Sequence, residues 1–193
     1  DSIYGNNGGD DEQGGGLGDD LIYGYGGNDT LFGGADDSVT TNADSLYGGD
    51  DDDVIYGGAD DDSIDGEGDD DTLYNGAGDD TVVGGTGEDT LWGGAGDDSL
   101  DGGTDTWDDT FGFVSGNGND TIYGWEMDAG ANGTTGDVLD LTAFGFADTQ
   151  AVLDVMSDVG GAATIALAPG QTVTVNGFTT ANFQAATDDW VLV

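Results

Sequence analysis

Residues 84–100 read GGTGEDTLWGGAGDDSL. This is one nine-residue unit, GGTGEDTLW, followed by most of a second, GGAGDDSLD. Working outward, an aspartate recurs every nine residues through Asp44, Asp53, Asp62, Asp71, Asp80, Asp89 and Asp98. Two positions after each comes an aliphatic residue: Leu46, Ile55, Ile64, Leu73, Val82, Leu91 and Leu100. Asp20 with Ile22 and Asp29 with Leu31 extend the pattern upstream, and Asp1 with Ile3 is its truncated first copy. Asp109 with Phe111 and Asp120 with Ile122 extend it downstream. Six extra residues between Asp29 and Asp44 predict a bulge around SVTTNA, and near Asp10 the aliphatic slot holds Glu12, a degenerate unit.

Each unit divides in two. Its first six residues are glycine-rich and predict a turn, because glycine permits positive φ and close backbone approach. Its last three, such as TLW or SLY, are β-formers, and alternation points the middle side chain inward. Strands this short need stacking. Two units make one 18-residue coil with strands on opposite sides and a narrow aliphatic core between them. The predicted fold is therefore all-β: a right-handed parallel β-roll with 18-residue, calcium-filled turns.

Calcium enters through charge. The chain has 193 residues, 42 of them acidic, with no Lys, Arg or His. A charge of −42 without an internal cation allows no salt bridge and opposes any compact state. Nucleic acid and anionic membrane surfaces are poor partners, because nothing here can meet a phosphate electrostatically. With no Cys, disulfides and thiolate sites are excluded. Aspartates repeated along one edge of a stack, with glycine carbonyls beside them, offer hard oxygen donors that suit Ca²⁺. The candidate ligands are Asp20, Asp29, Asp44, Asp53, Asp62, Asp71, Asp80, Asp89, Asp98, Asp109 and Asp120. About ten such sites would supply roughly +20. An acidic flexible linker would need neither strict spacing nor a phased aliphatic. An EF-hand is rejected: Asp61, Ser63, Asp65 and Gly66 mimic its first half, but Thr72 stands where Glu is required.

These units resemble the repeats-in-toxin (RTX) family, whose nonapeptide G-G-x-G-x-D-x-U-x is a calcium-binding β-helix repeat. GGTGEDTLW and GGAGDDSLD match it at every position, and the resemblance covers residues 1 to about 124. It implies a chain exported through a one-step (type I) channel, unfolded inside at low Ca²⁺ and folding outside where Ca²⁺ is high. In four units the fourth-position Gly is instead Asp51, Asp60, Asp69 or Asp105. Aspartate tolerates left-handed φ better than most residues, so the turn is expected to survive.

The ninth position faces outward. One face is predicted to carry Phe32, Tyr56, Tyr74 and Trp92 as a ladder, and the other Tyr4, Tyr23 and Tyr47. Such ladders stiffen a sheet by cross-strand stacking, and they also offer an interaction face.

Residues 125–193 break the period and are expected to form a small mixed β/α cap, since an open solenoid end needs one. GDVLDLTAFGF (136–146) reads as strand and turn; Ala151, Val152, Val155, Met156 and Val159 lie at helical spacing. ATIALAPGQTVTVNGF predicts a hairpin turning at Pro169-Gly170, ANFQAA a short helix and WVLV a last strand. Asp137, Asp140 and Leu141, with Asp188-Asp189 before WVLV, resemble the tail of exported RTX proteins, which implies an uncleaved export signal.

Without His, Lys, Arg or Cys most acid–base and nucleophilic chemistry is unavailable, and no carboxylate pair stands apart as a glycosidase pair would. The function expected is a calcium-dependent, secreted structural or surface module that self-assembles or adheres through its aromatic face. The chain starts at DSIY, mid-repeat and without Met, so a preceding part is expected to be missing or removed; a first turn without a neighbour would favour head-to-tail stacking into a filament or surface lattice. The alternatives are the export tail of a larger secreted hydrolase or toxin, and an ice- or polysaccharide-binding solenoid.

Overall fold

The computed structural model describes residues 1–34, 42–103, 105, 107–126, 136–185 and 190–192. The predicted bulge lies largely outside the described residues, and Asp188-Asp189 wholly so.

Strands alternate between two sheets as the chain coils. Ser2–Tyr4, Leu21–Gly26, Ser45–Asp50, Ser63–Gly68, Thr81–Thr86, Ser99–Gly103 and Asn119–Tyr123 form one parallel array. Glu12–Gly16, Thr30–Gly34, Val54–Ala59, Thr72–Ala77, Thr90–Trp92, Thr110–Gly112, Val138–Asp140 and Val191–Leu192 form the other. A parallel neighbour normally needs a long crossover. Here each crossover is a turn into the opposite sheet and back, which is what the nine-residue period prescribes.

In-phase pairing puts each inward residue above the next. On one sheet the column runs Ile3, Ile22, Leu46, Ile64, Val82, Leu100 and Ile122. On the other it runs Gln13, Leu31, Ile55, Leu73, Leu91, Phe111 and Leu139. From Ile22 to Leu139 these apolar side chains are fully buried and form one continuous core. The structure corrects the frame of the degenerate unit. Asp11 and Gln13, not Asp10 and Glu12, occupy the aspartate and aliphatic positions, since Gln13 pairs with Leu31 and Asp11 caps the strand start at Thr30.

The roll also runs further than its visible period. Val138–Asp140 pairs with Thr110–Gly112 and then with Val191–Leu192. On the other sheet Gln171–Val175 adds in parallel to Asn119–Tyr123, followed by antiparallel Ala162–Ala168 and Met156–Val159. The Pro169-Gly170 hairpin and the short helix Thr180–Ala185 form as expected. The helix at residue 151 is shorter than its apolar spacing suggests, covering only Thr149–Leu153. Met156–Val159 is instead drawn into a hairpin whose turn, Gly160-Gly161, has φ of 64° and 94°, the two-glycine geometry that favours such a turn. Trp125, Phe178, Phe183 and Trp190 pack in tilted pairs with one another and with Phe111, sealing the apolar end of the core.

Candidate metal sites

The inward aspartates stand on the two edges of the roll, in the turns that connect the sheets. Each uses one oxygen as a structural rung. Oδ1 of Asp44 accepts the main-chain N–H of Asp20 at 2.9 Å, Oδ1 of Asp62 that of Asp44 at 2.8 Å, and Oδ1 of Asp80 that of Asp62 at 2.7 Å. Asp98 and Asp120 continue this first edge. The second edge runs Asp11, Asp29, Asp53, Asp71, Asp89 and Asp109 in the same way. All eleven predicted ligands therefore fall on the two ladders. Two aspartates outside that set join them: Asp11 at one end and Asp137, whose Oδ1 accepts from Asp109 N–H at 3.0 Å. The long segment between Tyr123 and Asp137 hid the latter from a search by period.

The second oxygen faces a slot. Oδ2 of Asp20, Asp29, Asp53, Asp62, Asp71, Asp80, Asp89 and Asp98 is buried with no hydrogen-bond donor. Before most of them, usually five residues earlier in the sequence, stands the inward glycine that opens the unit, and its missing side chain makes the slot. A Cβ on Gly24 would lie 2.5 Å from both Asp29 Oδ2 and the Gly48 carbonyl oxygen. A Cβ on Gly57 would lie 2.5 Å from the Asn75 carbonyl oxygen and 2.8 Å from Asp62 Oδ2. A carboxylate oxygen and a main-chain carbonyl aimed at the same small space is an arrangement of acceptors that a cation reconciles. Among the described residues no three carboxylates converge, so each slot combines carboxylate with carbonyl oxygens, a hard donor set that fits Ca²⁺.

Electrostatics agree. Burial, and next to it the neighbouring carboxylates, push the ladder aspartates from Asp29 and Asp44 onward up from 3.8, against the lowering by their main-chain N–H bonds. Asp53, Asp62, Asp89 and Asp137 reach about 7, Asp98 and Asp109 about 8, and Asp71 about 9. Asp80 and Asp120 reach only about 6, each helped by a side-chain amide, Asn75 and Asn117. One ion pair exists among the described residues, between the amino group of Asp1 and Asp20; the expectation of none holds for side-chain cations only.

The turns tolerate the acidic substitutions. Asp51, Asp60 and Asp69 have φ of 76°, 72° and 68°, so these aspartates occupy the left-handed turn position in glycine's place. Their side chains accept main-chain N–H groups from adjacent coils, as in Asp51 N–H to Asp69 Oδ2 at 3.2 Å.

The outward ladders form as well. Phe32, Tyr56, Tyr74 and Trp92 stack nearly parallel, with ring centroids 5.0, 5.0 and 6.3 Å apart. Tyr4, Tyr23 and Tyr47 stack on the opposite face at 5.7 and 4.7 Å. Trp92 ends its ladder by folding its indole over Gly112.

A two-sheet parallel roll with hard-oxygen slots along both edges defines a class of cation-binding β-solenoid. The chain belongs to the RTX calcium-binding nonapeptide repeat family: that family's model matches it in four copies, at residues 15–39, 38–73, 74–106 and 113–126. No curated protein matches the chain. RTX repeats bind calcium, and the proteins that carry them are typically secreted. Among the described residues no helix is long and apolar enough to cross a membrane.

The slot geometry makes a prediction. Gly57→Ala puts a methyl group where Asp62 Oδ2 and a main-chain carbonyl already stand. Because a carbonyl held in a sheet cannot swing away, the expected cost is about 1–3 kcal/mol, with weaker calcium binding. A calcium titration with a thermal melt at each point checks it; unchanged affinity and melting temperature would refute the slot.

Proposed function

We propose that this chain is a calcium-dependent extracellular structural or surface module, folding when it meets Ca²⁺ outside the cell and associating through its Phe32–Trp92 aromatic face. The observation that carries the reading is the row of buried, donorless Oδ2 atoms in a chain with no basic side chain. At neutral pH such a core is stabilised by divalent cations, and millimolar extracellular calcium meets that need. A non-catalytic role follows from the equivalence of the carboxylates: they repeat as ligands do, and none is set apart as an acid or base would be.

Self-association is supported by the exposure of Phe32, Tyr56 and Tyr74, each more than a third accessible in one flat row. Flat aromatic rows of this kind favour partners that stack edge to edge, and calcium bridging between acidic surfaces would offset the repulsion of two chains at −42. Sedimentation in calcium is expected to show oligomers that Tyr56→Ser, Tyr74→Ser and Trp92→Ser together dissociate. Identical sedimentation of the triple variant would sink the association; monomers with and without calcium under electron microscopy would sink the lattice.

Residues 125–193 are proposed to serve export by the type I machinery before they serve the fold. Gln171–Val175 and Val191–Leu192 dock on strands of the roll, so they are released whenever the roll is unfolded. A chain ending at Gly124 that still reached the medium would overturn this assignment.

A further inference from the structure

The slots are not equivalent. On the second edge the inward first position of the unit is glycine at Gly24, Gly48, Gly66, Gly84 and Gly102, facing Asp29, Asp53, Asp71, Asp89 and Asp109. On the first edge it is glycine at Gly15, Gly33 and Gly57, facing Asp20, Asp44 and Asp62, and again at Gly93, facing Asp98, but not at the two positions that face Asp80 and Asp120. Asn75 takes the position that faces Asp80, and Phe113 the position that faces Asp120. Both point inward: Asn75 is fully buried and Phe113 nearly so.

Asn75 fills the slot and meets one of the two acceptors that a cation would join, leaving Asp80 Oδ2 and its own Oδ1 buried without a hydrogen-bond partner. Its Nδ2 donates to the Gly93 carbonyl at 2.8 Å, the carbonyl matching the one that closes each glycine slot. A carbonyl only accepts, so the amide must turn its nitrogen toward it. Further along the edge, the Phe113 ring lies 3.2 Å from where a Cβ on Gly93 would be, crowding the Asp98 slot from beyond. Asp120 Oδ2 is met by the Asn117 amide at 2.5 Å. Two slots at the ends of the second edge are filled likewise. The Gln13 amide nitrogen lies in the slot between Asp11 and Gly5, and Asp137 Oδ2 accepts the main-chain N–H of Glu126 at 2.6 Å.

We propose that Asn75 stands in for a calcium ion in the Asp80 slot, as Phe113 and Asn117 do in the Asp120 slot, so that calcium loads the two edges unequally. The second edge carries ions at five aspartates, Asp29 to Asp109, and the first at Asp20, Asp44 and Asp62, fewer in all than the period suggests. Past Asp62 the first edge is held by amides and an aromatic ring, and calcium enters there weakly or not at all.

This rests on calcium binding at the aspartate slots, and the experiment separates the two. Full-length wild type and Asn75→Gly, the residue every other slot on that edge before Phe113 carries, are loaded with calcium, and the ions on the folded species are counted by native mass spectrometry. Asn75→Gly is expected to hold one ion more. In parallel, hydrogen exchange of the Asn75 side-chain amide is followed by NMR in the loaded wild type, where protection is expected because Nδ2 stays on the Gly93 carbonyl. Equal or lower ion counts in the variant, or an Asn75 amide exchanging at the solvent rate, would overturn the inference and leave calcium binding intact. No calcium on either protein would overturn the reading beneath it.

Discussion

Withdrawing calcium at neutral pH is expected to abolish the β-sheet signal of the whole roll, with refolding at free Ca²⁺ on the order of 10⁻⁴ to 10⁻³ M, the range of extracellular modules. The reasons are additive. Each strand of the two parallel arrays is two to six residues long, too short to persist alone. Each slot sets a carboxylate oxygen against a carbonyl oxygen, and without a cation these repel in a space that water does not reach. Each rung also binds the next, because the oxygen of one aspartate holds the main chain of the coil before it. A solenoid is a one-dimensional stack in which neighbours stabilise one another, so the loss of several adjacent ions propagates. Magnesium is expected to rescue poorly, since it gives up water reluctantly and demands near-octahedral geometry. Circular dichroism across a calcium titration, with a magnesium arm, reads all of this. A folded signal in chelator near pH 8 would refute the central claim.

Much of this was legible in the sequence because the repeat fixes inward and outward positions independently of tertiary detail. Once Asp and aliphatic lie two apart at a nine-residue period, the core columns, both carboxylate ladders and both aromatic ladders follow. What was hidden lies where the period offers two readings or is interrupted. Asp10 and Asp11 are adjacent, so the frame of that unit was ambiguous until Gln13 paired with Leu31. Asp137 closes the second ladder but follows a long irregular segment, and its neighbours Asp140 and Leu141 suggested a tail motif instead. Met156 and Val159 lie at helical spacing from Val152, yet a two-glycine turn supplies a hairpin partner that the spacing does not register. Asn75 and Phe113 were visible as departures from glycine at the first position. Their meaning needed the structure, because only there does the first position prove to be the one facing the aspartate.

Acidification in chelator is expected to do the reverse of what acid does to most proteins and promote compaction. The sign follows from the direction of the shifts. Nine inward aspartates between Asp53 and Asp137 have folded pKa values above the 3.8 of an exposed carboxyl, from about 6 at Asp80 and Asp120 through about 7 and 8 to about 9 at Asp71. Burial is the main cause, so the folded chain holds protons that the unfolded chain releases. Their contribution to metal-free stability is thus fully present below about pH 4 and is lost as pH rises from there through each group's folded value, about 6 to about 9. Each proton held only in the fold adds about 1.4 kcal/mol per pH unit across that window, and the coupled ladder titrates as a set. Protonation also lowers the self-repulsion of a chain at −42. With calcium the slope inverts, because the ion needs the ionised carboxylate and competes with the proton; binding at pH 7 should release protons and weaken steadily toward pH 5. Metal-free ellipticity is therefore expected to grow from pH 8 to pH 5 while calcium affinity falls over the same interval. Sedimentation at each point separates compaction from the aggregation expected nearer the pI of 4.1. Metal-free ellipticity that stays flat, or calcium affinity that stays constant between pH 8 and pH 5, would show that the buried aspartates do not carry the balance between proton and metal.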